Sequence, residues 1–288
     1  MSASKQLPPS HKASKHSAAL LRRYLQRQAA KLAVQRKQIL AREDPEDVHQ
    51  MRVTSRRLAA ALRVIRGGRV KPSTDVRWLT RKLGPVRDLD VLILALGETA
   101  AERRYGSYLK GHRTMAKQKL NRALHSKRIQ RVFCELEGLQ HNLGQKNQKL
   151  GLDLQGVIID ELQHVQRAGR RIGSDSPFER LHRLRIRCKR LRYQIEILDP
   201  QPGTPLGKIL KGLKRLLELL GTLQDTRVIV AHLLQYEDTL APEHADHRTI
   251  ERMLARQELR AEKIRRRFPR EWRRFDKDLK RGLRELTK

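Results

Sequence analysis

Two stretches of this chain, 133 residues apart, spell nearly the same amphipathic helix, and few folds accommodate such a repeat. Residues Val48 to Ile65 read VHQMRVTSRRLAAALRVI, and Leu181 to Leu198 read LHRLRIRCKRLRYQIEIL. His49 matches His182, Arg52 matches Arg185, Arg57 matches Arg190 and Leu58 matches Leu191, while Arg56 faces Lys189. A second block follows each first one: LGPVRDLDVL from Leu83 and LGTLQDTRVI from Leu220. It aligns Gly84 with Gly221 and Asp88 with Asp225. The spacing is 35 residues from His49 to Gly84 and 39 from His182 to Gly221, so one helical unit is written twice. A looser echo joins 126–140 with 269–283.

Each copy carries two stripes. Val48, Met51, Ser55, Leu58, Leu62 and Ile65 recur at steps of three and four, as do Leu181, Leu184, Cys188, Leu191, Ile195 and Leu198. That spacing is one face of a helix, and the face is core. The small residues at Ser55 and Cys188 share a slot where another helix can cross closely. One position round lies a cationic stripe: His49, Arg52, Arg56 and Arg63 in the first copy, His182, Arg185, Lys189 and Arg192 in the second. Like charges at i,i+4 repel, and solubility alone would be met by alternating signs, so a polyvalent anion is the partner that turns the repulsion into binding. A solvated basic face is the competing reading.

The rest of the chain is rich in Ala, Leu, Arg, Gln and Glu, all good helix formers, with almost no strand signal. Pro-marked starts stand at Asp44-Pro45, Lys71-Pro72, Ser176-Pro177, Thr204-Pro205 and Ala241-Pro242. The expectation is an all-α protein of about ten helices, with a flexible basic leader over 1–14 and two pseudo-symmetric halves, 15–144 and 151–288. The C-terminal run from Arg256 to Arg284 reads as a basic helix docked by Trp272 and Phe275, either widening an anion track or merely closing the fold.

Composition narrows the partner. The formal net charge is +33, which makes a polyanion the first expectation: nucleic acid, a phosphate polymer or an acidic membrane. Arg outnumbers Lys by 43 to 21, and the guanidinium fork matches phosphate oxygens. Aromatic residues are only 4%, too few to stack single-stranded bases. No segment is long and apolar enough to span a membrane, and no signal-type apolar run stands near the start. Cys134 and Cys188 have no metal spacing, so both are expected as buried small residues in a reducing cytoplasm.

These motifs resemble the CHAD family, the conserved histidine α-helical domain. The resemblance rests on His-x-x-Arg, a basic pair and Leu, then Leu-Gly-x-x-Arg-Asp-x-Asp-Val. The first copy carries it at His49, Arg52, Arg56, Arg57, Leu58, Leu83, Gly84, Arg87, Asp88, Asp90 and Val91. The second carries His182, Arg185, Lys189, Arg190, Leu191, Arg192, Tyr193, Leu220, Gly221, Asp225 and Val228, with Gln224 standing where Arg87 does and Arg227 where Asp90 does. The resemblance implies two helical bundles of about five helices each, facing across a basic groove or pore that binds inorganic polyphosphate. It further implies a cytoplasmic protein that associates with polyphosphate granules.

The polyphosphate-binding residues so implied are His49, Arg52, Arg56, Arg57, Arg63, His182, Arg185, Lys189, Arg190 and Arg192. Gly84, Arg87, Asp88, Gly221 and Asp225 form a structural loop motif beside them. The two histidines have two open readings, contact with ligand or an interhelical hydrogen bond. Family members are often fused to a triphosphatase with a Glu-x-Glu-x-Lys signature, but Glu135-x-Glu137 is followed by Leu139, so hydrolysis does not carry over. Gly203 to Ile209 has too few residues between its glycines for a P-loop. The cluster Glu243, His244, Asp246 and His247 reads as an acidic first helical turn rather than a metal site. No cofactor, no metal and no catalysis are expected. The rivals are a general nucleic-acid binder and an enzyme acting on phosphate polymers.

Overall fold

The computed structural model describes residues 11–42, 44–65, 70–97, 99–145 and 152–287. Among them there are nine helices and no strand: α1 (His11–Ala41), α2 (Pro45–Val64), α3 (Pro72–Leu94), α4 (Ala100–His125), α5 (Lys127–Gly144), α6 (Leu154–Arg170), α7 (Phe178–Ile195), α8 (Pro205–Glu237) and α9 (His247–Leu286). The all-α expectation holds. Of the leader assigned to 1–14, the first ten residues lie outside the described ones, and 11–14 already belong to α1. Most of the divide placed between 144 and 151 also lies outside them.

Helix starts follow local chemistry. Asp44 caps α2 by accepting from the Glu46 amide, with Pro45 at the first helical position, and Thr204 caps α8 by accepting from the Gly207 amide at 3.2 Å. The expected start at Ala241-Pro242-Glu243 is corrected, because the chain turns through 241–246 and α9 begins at His247. Asp246, at the N-cap, makes no side-chain cap bond there. Its carboxylate accepts from Arg104 Nε at 2.9 Å and from the Tyr236 hydroxyl at 3.1 Å.

The described residues form two compact units. The first takes in 1–84, 119–158 and 196–199; in it α1 packs along α2 and α5. The seam of α2 is its centre, with Met51, Ser55, Leu58 and Leu62 fully buried. The small slot at Ser55 has the use expected of it. Its Oγ accepts from the Thr80 hydroxyl of α3 at 3.0 Å and donates to the Arg52 carbonyl at 2.9 Å. Asp75 is clasped by Arg128 and Arg131, each Nε 2.8 Å from a carboxylate oxygen. Burial works to raise that carboxyl, but the two arginine bonds outweigh it and hold the group below its ordinary range.

The second unit takes in 85–118, 159–195 and 200–288. Here α8 lies along α9 and against α7. Leu181, Leu184, Cys188, Leu191 and Ile195 of α7 are buried, as the repeated seam requires. A cluster of Leu89, Leu92, Tyr105, Leu109, Leu233 and Tyr236 ties α3 and α4 to α8, with the rings of Tyr105 and Tyr236 5.1 Å apart. Trp272 and Phe275 dock α9 as expected; Trp272 lies flat on Gly169 of α6, where a Cβ would collide with the indole. The cysteine expectation holds only in part. Cys188 is buried, and burial pushes its thiol far up, whereas Cys134 is exposed on α5 because it falls off that helix's apolar face of Ile129, Val132 and Leu136.

Candidate functional site

The two copies of the basic stripe fall one in each unit, on α2 and on α7. On α2, His49, Arg52 and Arg56 are half-buried and Arg63 is exposed. On α7, His182, Arg185, Lys189 and Arg192 are all half-buried. They lie beside the buried seam, as a one-position rotation demands.

The motif beginning at Leu83 and Leu220 is not a loop, which corrects the expectation for Gly84, Arg87, Asp88, Gly221 and Asp225. Gly84, Arg87 and Asp88 lie inside α3, and Gly221 and Asp225 inside α8. Glycine within a helix costs about 1 kcal/mol relative to alanine, so a reason is needed. At Gly84 there is one: the Arg52 guanidinium passes over it, 3.1 Å from where a Cβ would stand, and its Nη1 donates to the Thr80 carbonyl at 3.0 Å. Arg52 therefore fastens α2 to α3 in the first unit. Nothing lies within 4 Å of a Cβ added at Gly221, and the structure offers no packing reason for that glycine.

The second unit spends its equivalents differently. His182 donates from Nδ1 to Gln224 Oε1 at 2.5 Å, an interhelical bond from α7 to α8, and its ring leans on Phe178. Gln224, a departure from the first copy's arginine, is thus the partner of the histidine. Arg227 lies over the Phe178 ring at 4.7 Å, a cation–π contact, where the first copy has the buried Asp90 held by Arg113 at 2.6 Å. Each departure from the motif has its own local partner.

Arg57 and Arg190 occupy matching positions, and each meets a glutamate. Arg57 Nε donates to Glu196 Oε2 at 2.9 Å, and Arg190 approaches Glu161 at 3.6 Å. Both lie on the seam's far side from the cationic stripe, and each forms an ion pair there.

Cations from three other helices gather around Asp225. Arg185 and Lys189 of α7, Arg260 of α9 and Arg87 of α3 all lie within electrostatic reach of it. Asp225 keeps one side open to solvent, yet protein crowds the rest. That desolvation pushes its carboxyl above the ordinary range in spite of the four cations, which pull the other way. An anion at this place would meet four cations and one carboxylate. Arg260 was not singled out by sequence, since one arginine in a basic run carries no signal; only the packing of α8 on α9 brings it here. His232, in the same unit, is held below its usual range chiefly by burial, with Asp88 opposing. Among the described residues, no group of three or more His, Cys, Asp or Glu is placed to hold a metal ion, and no helix is long and apolar enough to cross a membrane.

The family model of the CHAD domain matches residues 23–234. Two solved structures share the fold. One is the CHAD domain from the plant Ricinus communis, with a TM-score of 0.71 and 20% identity, covering 84% of this chain and 86% of that one. The other is PptA from Streptomyces chartreusis, with a TM-score of 0.67 and 19% identity, covering 89% of this chain and 99% of that one. No curated protein matches the chain. The matched span stops before α9.

Proposed function

The chain belongs to the CHAD family, and from that premise we propose that it is a non-enzymatic binder of inorganic polyphosphate. The observation that carries the reading is the gathering of Arg87, Arg185, Lys189 and Arg260 within electrostatic reach of Asp225. Guanidinium forks lose no proton at neutral pH and present paired N–H donors to adjacent phosphate oxygens, while Lys189 supplies a point charge. Binding releases counterions condensed on the polymer, which adds an entropic gain that shrinks with salt. The α2 stripe, His49, Arg52, Arg56 and Arg63, adds a second run of positive charge. A protein with these properties, if cytoplasmic, would be drawn onto polyphosphate granules.

The test is a competition at physiological salt. Labelled long-chain polyphosphate bound to the protein should persist against a tenfold charge excess of duplex DNA or RNA. Displacement at parity would overturn the reading in favour of a nucleic-acid binder, which the exposed arginines of α9 at 248, 252, 256, 266, 270 and 273 would suit. Release of orthophosphate on incubation with magnesium would overturn the non-enzymatic part.

Asp225 makes a pH prediction. An arriving polyanion adds negative charge beside a carboxyl already raised by desolvation, so its pKa in the complex lies above that in the unbound protein. Binding then takes up a proton, and affinity strengthens as pH falls through the interval just above the ordinary carboxylate range. The gain is complete below the unbound pKa and absent above the bound one. Dissociation constants measured from pH 8 to pH 4 should show this slope in the wild type and lose it in Asp225→Asn, which binds more tightly at neutral pH. Parallel curves for the two proteins would count against any role for Asp225 at the site.

A further inference from the structure

Helix α9 carries a cationic line along its outer face. Three steps of 4 from Arg248 reach Arg260, and alternating steps of 3 and 4 then lead through Lys263, Arg270 and Lys277 to Arg284. All eleven positions are Arg or Lys, and all are exposed. The ten steps cover 36 residues and average 3.6, the period of the α-helix, so the line runs parallel to the axis and does not wind off it. At ~1.5 Å per residue it is about 54 Å long, and α9 continues through Pro269 over that whole length. The opposite face is docked: Phe268, Trp272, Phe275 and Leu279 are buried, with Trp272 on Gly169 and Phe275 on Gly212. The six acids between Arg248 and Arg284 stand off the line. Three of them are already engaged, Glu262 by Arg266 at 2.8 Å, Asp276 by Gln166 at 2.9 Å and Asp278 by Arg215 at 3.8 Å. Among the described residues, the one ion pair made from the line itself is Arg270 with Glu271 at 3.5 Å. Like charges so placed repel, and alternating signs would keep the face soluble without that repulsion.

We propose that the outer face of α9 binds duplex nucleic acid through its backbone phosphates, a function that goes beyond the polyphosphate reading and does not rest on it. The line suits a duplex for mechanical reasons. A duplex has a persistence length of about 150 base pairs, so a stretch of this length is already straight, whereas a flexible polyphosphate would lose conformational freedom in lying along an open ridge. Each of the two strands crosses such a ridge once per ~34 Å turn, so about three crossings fall within the line, each facing several cations. Single strands fit less well, because their bases need aromatic faces and the aromatic residues of α9, Phe268, Trp272 and Phe275, are all buried. An acidic membrane fits less well too, because the apolar face that would sink into it is packed in the core. Contacts to phosphates alone carry no sequence information, so the binding is sequence-independent. Helix α9 lies wholly beyond the family-matched span.

The experiment uses the full chain and a DNA duplex of about 30 base pairs, followed by fluorescence anisotropy at several salt concentrations. Lys263, Arg267, Arg274 and Lys277 are exposed, so replacing all four by glutamine leaves the docked face untouched. The quadruple variant should keep its melting temperature within a degree or two and bind duplex on the order of 10²-fold more weakly at physiological salt. Its log–log salt slope should fall by about 2 to 4, up to four contacts at ~0.9 each. Long-chain polyphosphate affinity should stay within about threefold, and Arg185→Gln with Lys189→Gln on α7 should leave duplex binding within about twofold. The proposal is overturned if the wild type binds no duplex, or if the quadruple variant loses duplex and polyphosphate in equal measure. It is equally overturned if a single strand of the same length, or vesicles rich in phosphatidylserine, bind through these four residues as tightly as the duplex does. A wild type that binds duplex through α9 but no polyphosphate supports this proposal and sinks the polyphosphate reading.

Discussion

Leu58→Asp is expected to leave a chain with no cooperative thermal transition and greatly reduced helical circular dichroism. Leu58 is fully buried in the α2 seam, between Met51, Ser55 and Leu62, which are equally buried. Truncation to alanine alone removes packed methyl groups and opens a cavity, at a cost of about 2–5 kcal/mol. Aspartate adds the penalty of a buried, unpaired carboxylate, several kcal/mol more, and the total reaches the whole stability of an ordinary domain, roughly 5–15 kcal/mol. Arg63→Asp is the control. It stands on the same helix but is exposed, so its melting temperature should move by no more than a degree or two. A soluble, fully helical Leu58→Asp protein melting like the wild type would mean that the seam is not the core of the first unit.

The second large effect is on binding. Replacing Arg185, Lys189 and Arg192 together by glutamine should weaken long-chain polyphosphate binding on the order of 10²-fold at physiological salt and lower the log–log salt slope by about 2, three contacts at ~0.7 each. These residues lie off the apolar seam, so the helical signal should persist. Isothermal titration at several salt concentrations, with a thermal melt of each variant, separates the two effects. Arg57→Gln provides the contrast: its guanidinium is bonded to Glu196, and its loss should show first in the melt and only weakly in affinity. Arg52 is a poor probe of binding for the same reason, since it holds α3 through the Thr80 carbonyl. An affinity unchanged in the triple variant, measured on a folded protein, would move the phosphate site away from α7.

What the sequence determined about this protein lies within one or two helical turns. The buried seams of α2 and α7, the caps at Asp44 and Thr204 and the all-α class follow from periodicity and from side chains bonding to amides two or three residues away. The cationic stripes were legible for the same reason, because a helix of known period assigns every residue to a face. The motif at Gly84 and Gly221, expected as a loop from the resemblance, lies inside α3 and α8. The guanidinium that lies over Gly84 comes from Arg52, on another helix. Only the tertiary structure decided which arginines hold the fold together. Arg57 is committed to a glutamate 139 residues away, and Arg104 to Asp246 across 142. Arg260 reaches the Asp225 cluster through the packing of α9 on α8. An arginine looks the same in sequence whichever partner it has, because the carboxylate, carbonyl or phosphate that claims it is brought close by packing between distant segments and leaves no mark in the residues next to it.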